Sequence, residues 1–290
     1  METMVTIFNK YQTRSIQRHL FMVFLGAAIL FSSNARASDL ETSASSHGEF
    51  ELTEEFLKPY NCVFSSYISD EKWEYLPTTV KSLDISKIGS ISEVGLKKIA
   101  NMKIDTLNLS NLALVDEDLQ FLPKGLKKLL INNTTVKGEG LKYLPDTIQE
   151  IGITNTSIST EGLKELIKGI KQRNITIEGD GSLLYDIAIM FRDGLGTDKD
   201  IKQYIAYCEK ACIKDSPLAL NQLGIVYELG VKSEKRVIVP INTIKAEEYY
   251  KKASQLGSDI AGKNLARVKE ANNELMKLFD SLNQEEDKYE

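Results

Sequence analysis

The chain has 290 residues, of which 42% are hydrophobic and 27% charged, with a formal net charge of −5. This is the balance of a soluble globular protein with room for two ordinary domains. Its mild acidity argues against a nucleic-acid partner, which would call for a basic face.

Residues 1–37 read as a secretory signal. Lys10, Arg14 and Arg18 precede an apolar run of 12 residues, Leu20 to Phe31, and Ala35-Arg36-Ala37 offers a small-x-small cleavage site. The run is too short to span a bilayer comfortably. Cleavage there leaves 32 basic and 40 acidic residues, a net charge of −8, and no other stretch of membrane length. Residues 38–56, with Ser43, Ala44, Ser45 and Ser46 in succession, read as a linker.

From residue 57 to 179 one short pattern recurs. It reads Val80-Lys81-Ser82-Leu83-Asp84-Ile85-Ser86, and again at Ile104 to Ser110, Leu126 to Asn132 and Ile148 to Thr154, with a degenerate copy at Arg173 to Ile177. The central anchor steps through Leu83, Leu107, Leu129, Ile151 and Ile175, spacings of 24, 22, 22 and 24 residues. Alternation at period two makes each copy a short strand, with Leu83 and Ile85 on one side and Ser82, Asp84 and Ser86 on the other. A second anchor follows about twelve residues on, at Leu96, Leu119, Leu141 and Leu163, where apolar residues three apart indicate a turn or two of helix. Trp73 takes that place one unit earlier, which makes Tyr60-Asn61-Cys62 a strand as well. Ser69, Ser92 and Ser159 stand where a side-chain oxygen caps a helix, and Asn111, Asn133 and Asn155 form a column at the strand exits. A fixed period in this range is the signature of a solenoid.

From residue 180 the pattern is helical. Ile187 to Gly194 aligns with Leu223 to Gly230 at an offset of 36 residues, and Tyr207 to Ala211 aligns with Tyr249 to Ala253 at an offset of 42. The second copy carries six extra residues around Val231 to Pro240, either a contact tip or a loop tucked back on the domain. Ala266 to Leu282 reads as an amphipathic closing helix with Val268, Leu275, Leu278, Phe279 and Leu282 inward, followed by an acidic tail to residue 290.

Asn133-Thr134-Thr135-Val136-Lys137-Gly138-Glu139-Gly140-Leu141 and Asn155-Thr156-Ser157-Ile158-Ser159-Thr160-Glu161-Gly162-Leu163 resemble the leucine-rich repeat family. Leu223-Gly224 with Tyr227 and Gly230, and Lys245-Ala246 with Tyr249-Tyr250-Lys251-Lys252-Ala253, resemble the Sel-1-like repeat, a relative of the tetratricopeptide repeat. Tyr204 departs from that pattern, standing where alanine is usual. Together the resemblances imply an α/β leucine-rich repeat solenoid over 57–179, an all-α Sel-1-like solenoid over 180–265, and a capping helix with its tail over 266–290.

No catalytic or metal site is expected, and no cofactor. His19 lies in the signal and His47 in the linker, so no Ser-His-Asp, Cys-His or histidine metal arrangement is available in the repeats. Asp116-Glu117-Asp118 reads as an acidic helix start. Cys62, Cys208 and Cys212 have no disulfide framework, and the last two, one helical turn apart, read as small buried residues. In leucine-rich repeats the strands line the concave face where partners commonly sit. That face would carry Ser82, Asp84, Ser86, Thr106, Asn108, Ser110, Lys128, Leu130, Asn132, Glu150, Thr154, Asn174 and Thr176. A second candidate is a helical groove lined by Asp186, Ile189, Gln222 and Ile225. N-x-S/T sequons at Asn108, Asn132, Asn133, Asn155 and Asn174 would crowd a sheet with glycans, which favours bacterial export to the periplasm or beyond. The expectation is an exported, non-enzymatic protein that binds another protein, as an effector or host-interaction adaptor. Its alternatives are an envelope component holding cell-wall polymer or an outer-membrane protein, and a β-lactam-binding Sel-1-like enzyme.

Overall fold

A computed structural model describes residues 61–286, apart from 65–66, 74–75, 77–79 and 234–235. The expected signal, cleavage site and linker, and the end of the tail, lie outside the described residues. Apart from Leu166–Lys168, the chain divides between Glu178 and Gly179 into two compact units.

The first unit is a six-stranded parallel sheet whose strands pair in chain order: β1 (Asn61–Val63), β2 (Ser82–Asp84), β3 (Thr106–Asn108), β4 (Lys128–Leu130), β5 (Glu150–Gly152) and β6 (Thr176–Glu178). One helical arc lies between each strand and the next. These are α1 (Asp70–Trp73), α2 (Glu93–Ala100), 3-10 segments at Asp116–Phe121 and Glu139–Tyr143, and α3 (Thr160–Arg173). Leu83 pairs in register with Leu107, Leu107 with Leu129, Leu129 with Ile151, and Ile151 with Ile177. The expected anchor Ile175 is displaced by two residues. It is buried but precedes the strand, because α3 ends at Asn174 in the left-handed conformation and the chain needs two more residues to regain register.

The core is built from rows of equivalent residues. Leu83, Leu107, Leu129, Ile151 and Ile177 form one, Ile85, Leu109, Ile131 and Ile153 a second, and Leu96, Leu119, Leu141 and Leu163 the helical row facing them, all buried. Full burial of such side chains stabilises by about 1.5–3 kcal/mol each. The arcs start where the sequence supplies caps: Ser92 Oγ accepts from Gly95 N at 3.2 Å and Ser159 Oγ from Gly162 N at 3.1 Å. At the strand exits Asn111, Asn133 and Asn155 adopt φ of 63°, 54–55°, a conformation asparagine tolerates. Their carboxamides form a ladder, Asn133 Nδ2 donating to Asn111 Oδ1 at 2.8 Å and Asn155 Nδ2 to Asn133 Oδ1 at 3.0 Å.

Asp116 ties one turn to the next. Its carboxylate accepts from the backbone N–H groups of Lys137, Gly138 and Gly140 at 2.9, 2.8 and 2.7 Å. The acidic triplet is therefore more than a helix start, since its first member satisfies the opening of the following arc. The approach requires glycine at 140, where a Cβ would lie 2.2 Å from the Asp116 carbonyl oxygen.

The second unit stacks helices in pairs, as a helical-repeat solenoid does: α4 (Gly181–Asp193) on α5 (Ile201–Ile213), α6 (Pro217–Leu229) on α7 (Thr243–Gln255), and α7 on α8 (Asp259–Glu286). Asp180, Asp200, Ser216 and Asn242 cap the first four. The extra residues form an antiparallel ribbon of β7 (Val231–Ser233) and β8 (Arg236–Val239). Gly224 lets α6 and α7 meet, because the wholly buried Tyr250 ring would lie 2.4 Å from a Cβ there. Tyr250 donates to Glu228 Oε2 at 2.7 Å, and Arg267 donates to both oxygens of Glu228, joining α6, α7 and α8. The closing helix differs from expectation. It begins at Asp259, and Val268 faces inward as expected, but Leu275 and Leu278 are exposed. With 28 residues α8 outruns the 13-residue α7 on which it packs, so among the described residues its later turns extend past the helix that would bury them. The side chains of Phe279 and Leu282 lie outside the described residues.

Cys208 and Cys212 are free and buried, and desolvation pushes both thiols up to about 12, as it does the Tyr207 hydroxyl.

Four outcomes test this packing. Asp116→Ala leaves three backbone donors without their carboxylate and is expected to lower the stability of the first unit by about 2–4 kcal/mol in urea denaturation. Gly224→Ala forces a methyl into the Tyr250 ring; despite alanine's better helix propensity, we expect a loss of about 1–3 kcal/mol and a lower melting temperature. The buried acids of the second unit hold their protons to about 12 when folded, against 9.0 for the thiols and 10.0 for the phenol in an unfolded chain. The folded state thus binds more protons in that window. Its stability is fully present below pH 9 and declines as pH rises toward 12, which urea midpoints measured across that range will reveal. In a Cys62→Ser background, the two remaining thiols should resist Ellman's reagent at pH 8 until denaturant is added.

Candidate functional site

The outward side of the parallel sheet is set by strand register. Ser82, Thr106, Lys128, Glu150 and Thr176 stand in one row, and Asp84, Asn108, Leu130, Gly152 and Glu178 in the next. Ser86, Ser110, Asn132 and Thr154 follow at the strand exits.

Hydrogen bonds across the strands fix these side chains. Asp84 Oδ1 accepts from the Ser86 N–H at 2.9 Å and its hydroxyl at 2.7 Å, while Asp84 Oδ2 accepts from Asn108 Nδ2 at 3.0 Å. Asn108 Oδ1 accepts from Ser110 N at 3.0 Å, and Ser110 Oγ accepts from Asn132 N at 3.2 Å and Asn132 Nδ2 at 3.3 Å. Asn132 Oδ1 then accepts from Thr154 N at 2.6 Å. The Lys128 ammonium pairs with Glu150. That bond, with a smaller contribution from Glu178, raises the lysine's pKa. Small polar side chains repeating at the turn period meet their equivalents one strand on, so a one-dimensional repeat becomes a two-dimensional network.

Of the thirteen residues expected on this face, eleven lie there at least partly accessible. Ser110 is buried, its hydroxyl spent on Asn132. Asn174 is not on the face at all, since it is the left-handed C-cap of α3. Glu178 was missed. The two-residue slip at Ile175 and Ile177 moves it into the row of Asp84 and Asn108, and only the strand register discloses this. Gly152 falls in the same row and is covered by Leu130, whose Cδ2 would stand 2.6 Å from a Cβ.

In the second unit Asp186 and Ile189 lie one turn apart on α4, and Gln222 and Ile225 one turn apart on α6. Asp186 is exposed and the other three are half-buried. Partial loss of hydration, together with the charge of Asp180, raises the Asp186 pKa. Gln222 Oε1 accepts from the Tyr204 hydroxyl at 3.1 Å, and burial raises the pKa of Tyr204 and of the neighbouring Tyr185. Neither tyrosine was among the expected groove residues, although Tyr204 already stood out in the sequence by its bulk at a position where alanine is usual.

The chemistry open to these surfaces is hydrogen bonding and ion pairing. Among the described residues no group of three or more histidine, cysteine, aspartate or glutamate side chains is placed to hold a metal ion. No helix there is long and apolar enough to cross a membrane.

No family model matches the chain, and no curated protein matches it. Among solved structures, a Sel1 repeat protein from Oxalobacter formigenes is similar at 23% identity and a TM-score of 0.30, over 39% of this chain and 42% of that one. The protein c5321, a protective antigen of uropathogenic Escherichia coli displaying an SLR fold, is similar at 19% identity and a TM-score of 0.28, over 38% of this chain and 26% of that one. The chain thus spans less than half the length of either protein.

Proposed function

We propose that this chain is an exported, non-enzymatic repeat protein that binds another polypeptide through the sheet face of its first unit. In this reading the first unit is a leucine-rich repeat solenoid and the second a Sel-1-like one, and the molecule acts in the periplasm or beyond as an effector or adaptor. The observation that carries it is the hydrogen-bonded network from Asp84 to Thr154. A face whose side chains are already held in place gives up little rotamer freedom when a partner settles on it, and this lowers the cost of association. Thr106 and Thr176 face outward within it, and the Lys128–Glu150 pair presents both signs of charge. The face offers few of the aromatic and arginine anchors that dominate tight interfaces, which supports modest affinity.

The test uses substitutions that spare the network. Affinity capture with residues 38–290 is compared with the same chain carrying Thr106→Arg and Thr176→Arg. The variant is expected to keep its melting temperature and lose its partners by about tenfold or more, the effect of placing two bulky charges in an interface. Identical partners at identical yield overturn the sheet face as the site. Retention on purified cell-wall polymer in place of protein assigns the face to the envelope instead.

A further inference from the structure

The helix turns of the second unit carry a surface of a different character. The α5–α6 and α7–α8 turns correspond position by position at an offset of 42 residues. Asp215 and Gly257 follow the closing helices in the left-handed conformation, at φ of 55° and 91°. Ser216 and Ser258 open the next helices, Ser216 Oγ accepting from Ala219 N at 3.4 Å and Ser258 Oγ from Ala261 N at 3.3 Å. The Lys252 ammonium reaches from α7 to Asp215 at 3.0 Å and holds the two turns side by side. The edge so formed is aliphatic: Ile213 is 78% exposed, Leu218 54%, Leu256 43% and Ile260 63%. Leu218 and Ile260 take the same place in successive turns, each the second residue of its helix. Together the four expose on the order of 500 Å², the size of patch that marks a contact site.

The charges beside this edge are balanced, Lys214 and Lys252 against Asp215 and Asp259. Lys252 and Asp215 are spent on each other. Lys214 and Asp259 are exposed and have no side-chain partner among the described residues. The unpaired cation thus stands on the first turn and the unpaired anion on the second. We infer that this edge is the two-fold interface of a homodimer, its occupant a second copy of the chain. A two-fold axis between the turns lays the first turn of one copy over the second turn of the other. Ile213 and Leu218 would cover Leu256 of the partner subunit and Ile260 of the partner subunit, and Lys214 would meet Asp259 of the partner subunit. Each contact occurs twice.

Self-complementarity selects this occupant. A surface with a cation at one end and an anion at the other matches itself after half a rotation. Its local charge of zero spares it the repulsion that a chain of net −5 sets between most of its faces. An anionic bilayer would take the aliphatic side chains but repel Asp215 and Asp259. About 1,000 Å² would be covered in all, near the lower bound of a specific interface, so the dimer is reversible. The edge is distinct from the sheet face of the first unit, and its test stands whether or not that face binds anything.

Sedimentation velocity on the full chain, from low to high micromolar concentration, is expected to show a monomer–dimer equilibrium. Ile260→Asp, at a side chain already turned to solvent, is expected to weaken it by about tenfold or more. Lys214→Asp or Asp259→Lys alone sets like charges face to face and is expected to weaken it by about tenfold. The double variant re-forms both pairs with their signs exchanged and is expected to return association close to wild type. Circular dichroism melts establish that each variant folds. A monomer at every concentration, a dimer indifferent to Ile260→Asp, or a double variant no better than the single ones overturns the proposal. So does a monomer that binds phosphatidylcholine–phosphatidylserine vesicles and loses them in Ile260→Asp, which gives the edge to a membrane.

Discussion

Main-chain hydrogen bonding between successive turns sets the terms for everything else in the first unit. Each strand is three residues long and meets its backbone partners only in the turn before and the turn after. The bonds continue past the strand ends, from Leu109 N to Leu130 O, Asn111 N to Asn132 O and Asn133 N to Thr154 O. An isolated turn could satisfy none of these groups, and a buried unpaired amide is costly. Stacking is therefore obligatory. It carries each side chain to a fixed place beside its equivalent, which is why the buried rows are continuous and the polar side chains of the open face find one another.

The same constraint accounts for the arcs. Once adjacent strands are in register, the connecting segments must pass each other at a distance that a side chain cannot always fit. The turn at Gly140 lies against the Asp116 carbonyl, and the Asp116 carboxylate reaches over to hold it. In the second unit the corresponding contact is side chain on backbone, with the Tyr250 ring seated on Gly224. One unit is knitted by peptide groups and the other by interlocking shapes, so they respond differently to pH. The helical unit hides titratable thiols and phenols, while the resolved effect on the open sheet face is the pairing of Lys128 with Glu150.

Much of this was legible in the sequence, because period-two alternation recurring at nearly constant spacing has few other physical meanings. The triplets Ser82 to Asp84, Thr106 to Asn108, Lys128 to Leu130 and Glu150 to Gly152 are strands where the pattern placed them. Register at the last strand was not legible. Ile175 and Ile177 are both isoleucine, and the alternation fits either; the left-handed turn at Asn174 decides between them. Exposure at Leu275 and Leu278 was equally hidden. An amphipathic stripe says which side of a helix is apolar, and it does not say that another helix is long enough to cover it. Ser110 shows a third limit: alternation put its side chain on the open face, but the carboxamide of a neighbour 22 residues away removes it from solvent.

The asparagine column has a practical consequence for how the molecule can be made. Asn133-Thr134-Thr135 and Asn155-Thr156-Ser157 are acceptor sequences for N-linked sugar. In the folded protein each asparagine nitrogen donates to the carboxamide of the turn below, and Thr134 and Thr156 point their hydroxyls into the interior at the Ile131 carbonyl. Native protein is thus a closed substrate for an oligosaccharyltransferase, whereas a nascent chain is an open one. A sugar attached during synthesis would replace one of the two hydrogens on each rung's carboxamide nitrogen and stand on the exposed rim of the strand exits. Yeast or mammalian secretion would therefore decorate the asparagine ladder, and a host without that enzyme leaves it bare.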